Sequence, residues 1–280
     1  MPYNSLVLSI TTFIYGLAGV LYIFAWIFRK PVAGRLATWV TIIAFVANTF
    51  GILLRWVESY QLHSGYGYAP LSNLYESLVF FGWTIGAVYL WVEYRYQNKT
   101  IGAFAVPLAF LAMAYASLSP DKSIQPLIPA LQSNWLIAHV ITCFLGYAAF
   151  AVAFAVSIMY LIKSGDEKRT GNHAGLHMPA ATVLDDITHK MVMFGFLFLT
   201  VGIITGAVWA KQAWTRYWSW DPKETWSLIT WFIYAALLHF RMMRGWRGKR
   251  IAVISIIGFI AVLFTYFGVN FLLSGLHSYA

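Results

Sequence analysis

The chain has 280 residues, 60% of them hydrophobic and 10% charged, with a formal net charge of +9. That composition excludes an ordinary soluble domain and places the chain among polytopic membrane proteins. One cysteine, Cys143, forms neither an internal disulfide nor a CxxC redox pair, so thiol–disulfide exchange is not expected of this chain.

A membrane-spanning helix needs ~20 mainly apolar residues. We count about eight such segments: 5–28, 36–57, 74–94, 101–118, 134–162, 186–209, 225–243 and 251–273. The expectation is an all-α polytopic membrane helix bundle of about eight transmembrane helices, a single membrane domain over 1–280. Segment 5–28 is too long for a signal peptide's apolar core and lacks a basic leader, so it is expected to be a span. The cations sort by side. Arg29, Lys30, Arg35, Arg95, Lys99, Lys163, Lys168, Arg169, Lys190, Arg241, Arg244, Arg247, Lys249 and Arg250 fall in or beside one set of connections. Only Arg55, Lys122, Lys211, Arg216 and Lys223 fall on the other. By the positive-inside rule, both termini lie on the exported side, and the basic excess reflects topology, with no nucleic-acid partner.

In chain order, loop 58–73 is rich in Gly, Tyr and Ser and holds His63, read as solvated. Span three opens at Pro70 to Ser77, with Ser72 or Asn73 as cap; Glu76 in its first turn is either a capping partner or a functional carboxylate at membrane depth. Loop 119–133 carries three prolines and lies outside. Span five opens with Asn134 and Trp135. His139 follows four residues after Trp135, on the same helix face, about one and a half turns inside the exported edge. The polar inner loop 163–182 holds His173 and His177, read as solvated. His189 and His239 lie near the inner ends of spans six and seven, and His277 lies just beyond the outer end of span eight.

The stretch 209–231 reads W-A-K-Q-A-W-T-R-Y-W-S-W-D-P-K-E-T-W-S-L-I-T-W. It contains Trp209, Trp214, Trp218, Trp220, Trp226 and Trp231, six of the thirteen tryptophans, and is expected to form a membrane-surface loop. Indoles favour the membrane interface, and Asp221-Pro222-Lys223-Glu224 reads as a helix start with a capping box. An anchor needs only one or two indoles, however. A dense indole surface flanked by Lys211, Arg216 and Lys223 suits a flat, apolar, doubly carboxylated ligand, and haem is one. His139 and His277, at the same membrane level, can supply imidazoles to its iron.

W-x-x-Y-W-S-W-D-P-K-E-T-W (214–226) resembles the tryptophan-rich WWD signature of haem-handling proteins, and more closely that of the CcsA (ResC) family of System II cytochrome c synthase subunits. G-A-V-W-A (206–210), L-I-T-W-F-I-Y-A-A-L-L-H-F-R (228–241) and P-L-S-N-L-Y-E-S-L (70–78) are similar as well. The resemblance implies a cytochrome c synthase of haem-lyase type, working as a complex with a CcsB/ResB-type subunit. It implies haem b as transported cofactor, bound on the exported face through His139 and His277. Trp209, Trp214, Trp218, Trp220, Asp221, Trp226 and Arg216 would line that site, with Arg216, Lys211, Lys223 or Arg55 pairing with the propionates. His239 would be an iron ligand within the membrane, its partner coming from the CcsB/ResB-type subunit or, as an internal alternative, from His189. Implied partners are apocytochrome c with its CXXCH segment, a thioredoxin-like thiol reductant and the lipid bilayer. The implied location is the bacterial cytoplasmic membrane, with the thylakoid membrane as alternative. For Asp221 and Glu224, helix capping and orienting a ligand or shuttling a proton both stay open. Two other functions compete: a di-haem cytochrome b-type electron-transfer subunit, and a haem exporter.

Overall fold

The computed structural model describes residues 3–62, 67–119, 122–170 and 177–273 of the chain. Among them, eight long helices follow one another: α1 (Tyr3–Ile27), α2 (Pro31–Leu62), α3 (Leu74–Tyr96), α4 (Gly102–Ser117), α5 (Asn134–Thr170), α6 (Ala181–Trp214), α7 (Pro222–Arg244) and α8 (Lys249–Leu263). A π-helical turn, Phe264–Gly268, carries α8 into the short α9 (Val269–Leu272). Seven of the helical segments are long and apolar enough to cross a membrane. The eighth long helix, α7, has 23 residues, enough to cross a ~30 Å hydrocarbon layer at ~1.5 Å per residue. It falls below the other seven in apolarity because Lys223 and Glu224 open it and His239, Arg241 and Arg244 close it. The architecture is an all-α polytopic membrane bundle.

Helix α5 is its axis, packing along α6 and also against α3, α4 and α8. Its middle is buried all round, from Ala148 through Ala153, as a helix apolar on every face must be. Gly146 and Gly195 let α5 and α6 close in: a Cβ added to either would sit 3.0 Å from the other's carbonyl oxygen. Small residues at such crossings replace the hydrophobic driving force that lipid cannot supply. The bundle's outer faces carry apolar side chains such as Phe13, Val20, Trp39, Val46 and Phe50, exposed as lipid-facing residues are.

Polar clasps lock the two ends. At the Trp-rich end, the buried Arg55 of α2 donates from Nε to Glu76 of α3 (2.8 Å), from Nη1 to Asn4 (3.3 Å) and the Lys122 carbonyl (2.9 Å), and from Nη2 to the Ser123 carbonyl (2.9 Å). Glu76 also accepts from the backbone and hydroxyl of Ser72, while Asn73 caps α3 by accepting from the Glu76 backbone. The two readings of Glu76 thus merge: it closes a helix start and neutralises a buried guanidinium. At the other end, Glu93 of α3 accepts from Tyr22 (2.5 Å), Thr38 (2.5 Å), Lys99 (2.6 Å) and Tyr89. There too Asp185 of α6 binds Arg241 of α7 (2.8 Å) and accepts from the Gly248 backbone (2.8 Å).

The stretch 209–231 is not one surface loop. Helix α6 has 34 residues and runs past the apolar segment to carry Trp209 and Trp214, while α7 carries Trp226 and Trp231. Helical propagation across the interface leaves only 215–221 as a connection.

Candidate functional site

Where α5, α6 and α7 meet the π-turn, a cavity of about 180 Å³ opens. Its walls include His139, Trp209, Trp218, Lys223, Tyr266 and Asn270. The volume lies below the ~300–1,000 Å³ of pockets that engulf a whole small molecule.

His139 is the best-prepared group there. Its Nδ1 lies 2.7 Å from the Gly202 carbonyl of α6. A carbonyl only accepts, so Nδ1 carries the proton and the ring's lone pair is on Nε2, the arrangement that orients histidines in metal sites. The ring lies nearly parallel to the Trp209 indole, 18° between planes at 6.0 Å. Two glycines one helical turn apart on α6 make the space. A Cβ at Gly206 would lie 2.6 Å from His139 Nδ1, and one at Gly202 would lie 2.5 Å from the Cys143 sulfur. Sequence reasoning missed both, although a G-x-x-x-G spacing on an apolar helix is a signal for close approach.

The six tryptophans divide by position. Trp209 is 2% exposed, donates its indole N–H to the Ala130 carbonyl (2.9 Å) and meets Trp214 edge-on at 4.8 Å. Trp218 lines the cavity and meets Trp220 at 88°, 5.7 Å apart. Trp220 is 69% exposed and adopts φ 59°, a left-handed conformation rare for a bulky side chain. Trp226 packs on Phe264 at 4.2 Å, against α8's extension, and lies off the cavity wall. Trp231 lies deeper, bonded to Thr200 (2.9 Å) and packed on Phe196.

The motif's acids build the turn. Asp221 caps α7 by accepting from the Lys223 backbone (3.0 Å); Glu224 accepts from the backbones of Ser219 (2.8 Å) and Asp221 (3.1 Å), completing the capping box. These bonds grip both neighbours of Trp220 and hold its unusual φ. The cations diverge. Arg55 is committed to the clasp described above. Lys211 bonds the Thr215 carbonyl (2.9 Å) and lies over Tyr217 on the exposed side, and Arg216 is exposed. Lys223 alone of these lines the cavity, its ammonium donating to Asn270 (2.9 Å).

The three other histidines among the described residues do not line this cavity. His239 is exposed on α7, meeting Phe240 at 5.9 Å. His189 is half-buried on α6, its Nδ1 buried without a hydrogen-bond partner among the described residues. His177 is exposed. His63, His173 and His277 lie outside the described residues.

The model of the family described as "Cytochrome C assembly protein" matches residues 71–277. Among curated relatives, a protein named "Cytochrome c biogenesis protein CcsA" from Pyropia yezoensis is 40% identical, over 88% of this chain and 87% of that one. Proteins of the same name from Gloeobacter violaceus (38%, over 94% and 91%) and Guillardia theta (42%, over 85% and 83%) are similarly related. Among solved structures, "Cytochrome c Heme Lyase CcmF" shares the fold with a TM-score of 0.72 at 18% identity, covering 94% of this chain and 46% of that one. The chain therefore spans about half the length of that protein, and the likeness is one of fold. With the family model covering most of the chain and full-length relatives at this identity, the chain belongs to the cytochrome c assembly protein family, among its CcsA members.

Proposed function

We propose that the chain's haem handling in cytochrome c maturation consists of holding haem at the Trp-rich end, on the exported face, for attachment to apocytochrome c. The observation that carries this is His139, with Nδ1 fixed by the Gly202 carbonyl and its ring laid along Trp209 in the wall of a cavity with room for one edge of a flat ring. His139 Nε2 takes one axial position of the iron and His277 the other. Trp218 supplies apolar, aromatic surface in the cavity, Trp214 backs Trp209, and Trp220 with Arg216 offers exposed surface beside it. Asp221 and Glu224 hold the indoles in place.

Haem is the substrate here. The cavity orients it and limits water; the porphyrin and the apocytochrome react with each other. Each thiol of the Cys-x-x-Cys-His segment adds across one vinyl group. A C–S bond forms at one vinyl carbon, the thiol proton ends on the other, and no electrons are consumed. The segment's own histidine then displaces an axial ligand. The thiols must arrive reduced, which calls for a thioredoxin-like reductant. His239, exposed on α7, holds haem b earlier in its passage with a histidine from a CcsB/ResB-type subunit, so the synthase is the complex. The membrane is the bacterial cytoplasmic membrane in this reading. An electron-carrying cytochrome b and a haem exporter are not favoured by relatives named for cytochrome c biogenesis.

The test is co-purification with the CcsB/ResB-type subunit, followed by haem quantification and a maturation assay on His139→Ala, His277→Ala and His239→Ala. The expected result is loss of maturation in each. Wild-type haem content and maturation in all three would defeat the proposal.

A further inference from the structure

The cavity holds a cation whose purpose the capping motif does not explain. Lys223 is the second residue of α7, yet its side chain lines the cavity and crosses to the α9 segment, where the ammonium donates to Asn270 Oδ1 at 2.9 Å. An ammonium has three donors and seeks an anion. No carboxylate lies within 4.0 Å of it among the described residues. The two nearest in sequence are committed to the turn: Asp221 accepts from the Lys223 backbone, and Glu224, although it also lines the cavity, accepts from the backbones of Ser219 and Asp221. The surrounding wall is largely apolar and aromatic, with Cys143, Phe144, Tyr147 and Tyr266. A cation kept in such a place, favoured by the charge of the neighbouring Asp221 but with no ion pair in contact, is costly unless a ligand brings a second anion. Of the other cations of this end, Arg55 is spent in its clasp, Lys211 and Arg216 lie on the exposed side of the connection, and Lys122 does not line the cavity.

We propose that Lys223, steadied by Asn270, is the seat for a carboxylate of the bound porphyrin. This deepens the haem-holding reading and rests on it. The consequence is orientation. The cavity takes one edge of a flat ring, and a cation inside it selects the edge that bears propionates. The opposite edge of protoporphyrin, which bears the vinyl groups, is left outside, where thiols can reach it. Asn270 is the one polar residue of α9, and its amide oxygen sets where the ammonium points.

The test uses the full-length chain in detergent, titrated with iron protoporphyrin IX and separately with its dimethyl ester, and followed by the Soret band. The wild type is expected to prefer the diacid by about tenfold, the scale of one charge-assisted bond. Lys223→Met is expected to bind the diacid only as tightly as the ester, and Lys223→Arg to restore the preference. Should Lys223→Met fail to fold, Asn270→Leu is the second variant and is expected to reduce the preference. Equal affinity of the wild type for diacid and ester overturns the seat, as does an undiminished preference in Lys223→Met or, where that variant fails, in Asn270→Leu. Binding of neither porphyrin by the wild type, or binding indifferent to His139→Ala, overturns the haem-holding reading itself and the seat with it.

Discussion

His139 and His239 sit at opposite ends of the bundle and in opposite conditions. Around His139 everything is finished: a carbonyl fixes the tautomer, an indole lies along the ring, glycine makes room, and a cavity opens beside it. Around His239 the described residues offer one ring, Phe240, and an exposed helix surface. His189 forms no hydrogen bond or ring contact with it among the described residues, and the nearby Asp185–Arg241 pair is occupied in joining α6 to α7. The difference teaches that one end of the chain carries a histidine preorganised by its own surroundings, whereas at the other end the histidine is left on an open surface of α7.

The largest expected effect breaks that asymmetry directly. In the chain purified alone, His139→Ala should abolish most haem binding, read by absorbance and haem content, while His239→Ala should change it little. The comparison fails if His239→Ala is the more damaging. Co-purification with a CcsB/ResB-type subunit should then make His239→Ala costly as well. Next comes Gly206→Ala. Its Cβ would stand 2.6 Å from His139 Nδ1, so the imidazole must leave its place on the Gly202 carbonyl. Haem affinity should fall by roughly 10–100-fold, the scale seen when supporting contacts of a metal ligand are lost. Gly245→Ala, at the far end of α7 where a Cβ meets nothing within 4 Å, should leave haem affinity unchanged, although its φ of +64° makes that change cost some stability.

The difference between near and distant partners also explains what the sequence disclosed. The membrane bundle was legible because apolar length and the sorting of cations are local properties. The start of α7 was legible because Asp221 and Glu224 cap within one turn, as was Asn73 at the start of α3. Helix ends were less so: α6 continues to Trp214 because nothing in Lys211, Gln212 or Ala213 stops a helix, and this turned an expected loop into two helix ends and a seven-residue connection, 215–221. Arg55 resembled a propionate partner by side and charge, but its partners at Lys122 and Ser123 are 67 and 68 residues away. The same distance problem hid Gly202, which lies 63 residues from the histidine it orients.

The smallest expected effect separates the tryptophans that serve the finished end from those that merely build the bundle. Trp209→Phe and Trp231→Phe each delete one indole hydrogen bond, to Ala130 and to Thr200 respectively. Each should cost about 1 kcal/mol of stability, the usual net worth of such a bond, measured as a shift in the thermal or denaturant midpoint in detergent. Only Trp209 lies along His139, so only Trp209→Phe should also weaken haem binding, by a few-fold, through a loosened imidazole. Trp231 packs on Phe196 and does not line the cavity, so Trp231→Phe should bind haem as the wild type does. Equal haem affinities in the two variants would mean that the indole beside His139 is packing alone, and that the motif's density of tryptophans reflects anchoring at the interface more than a surface for the ring.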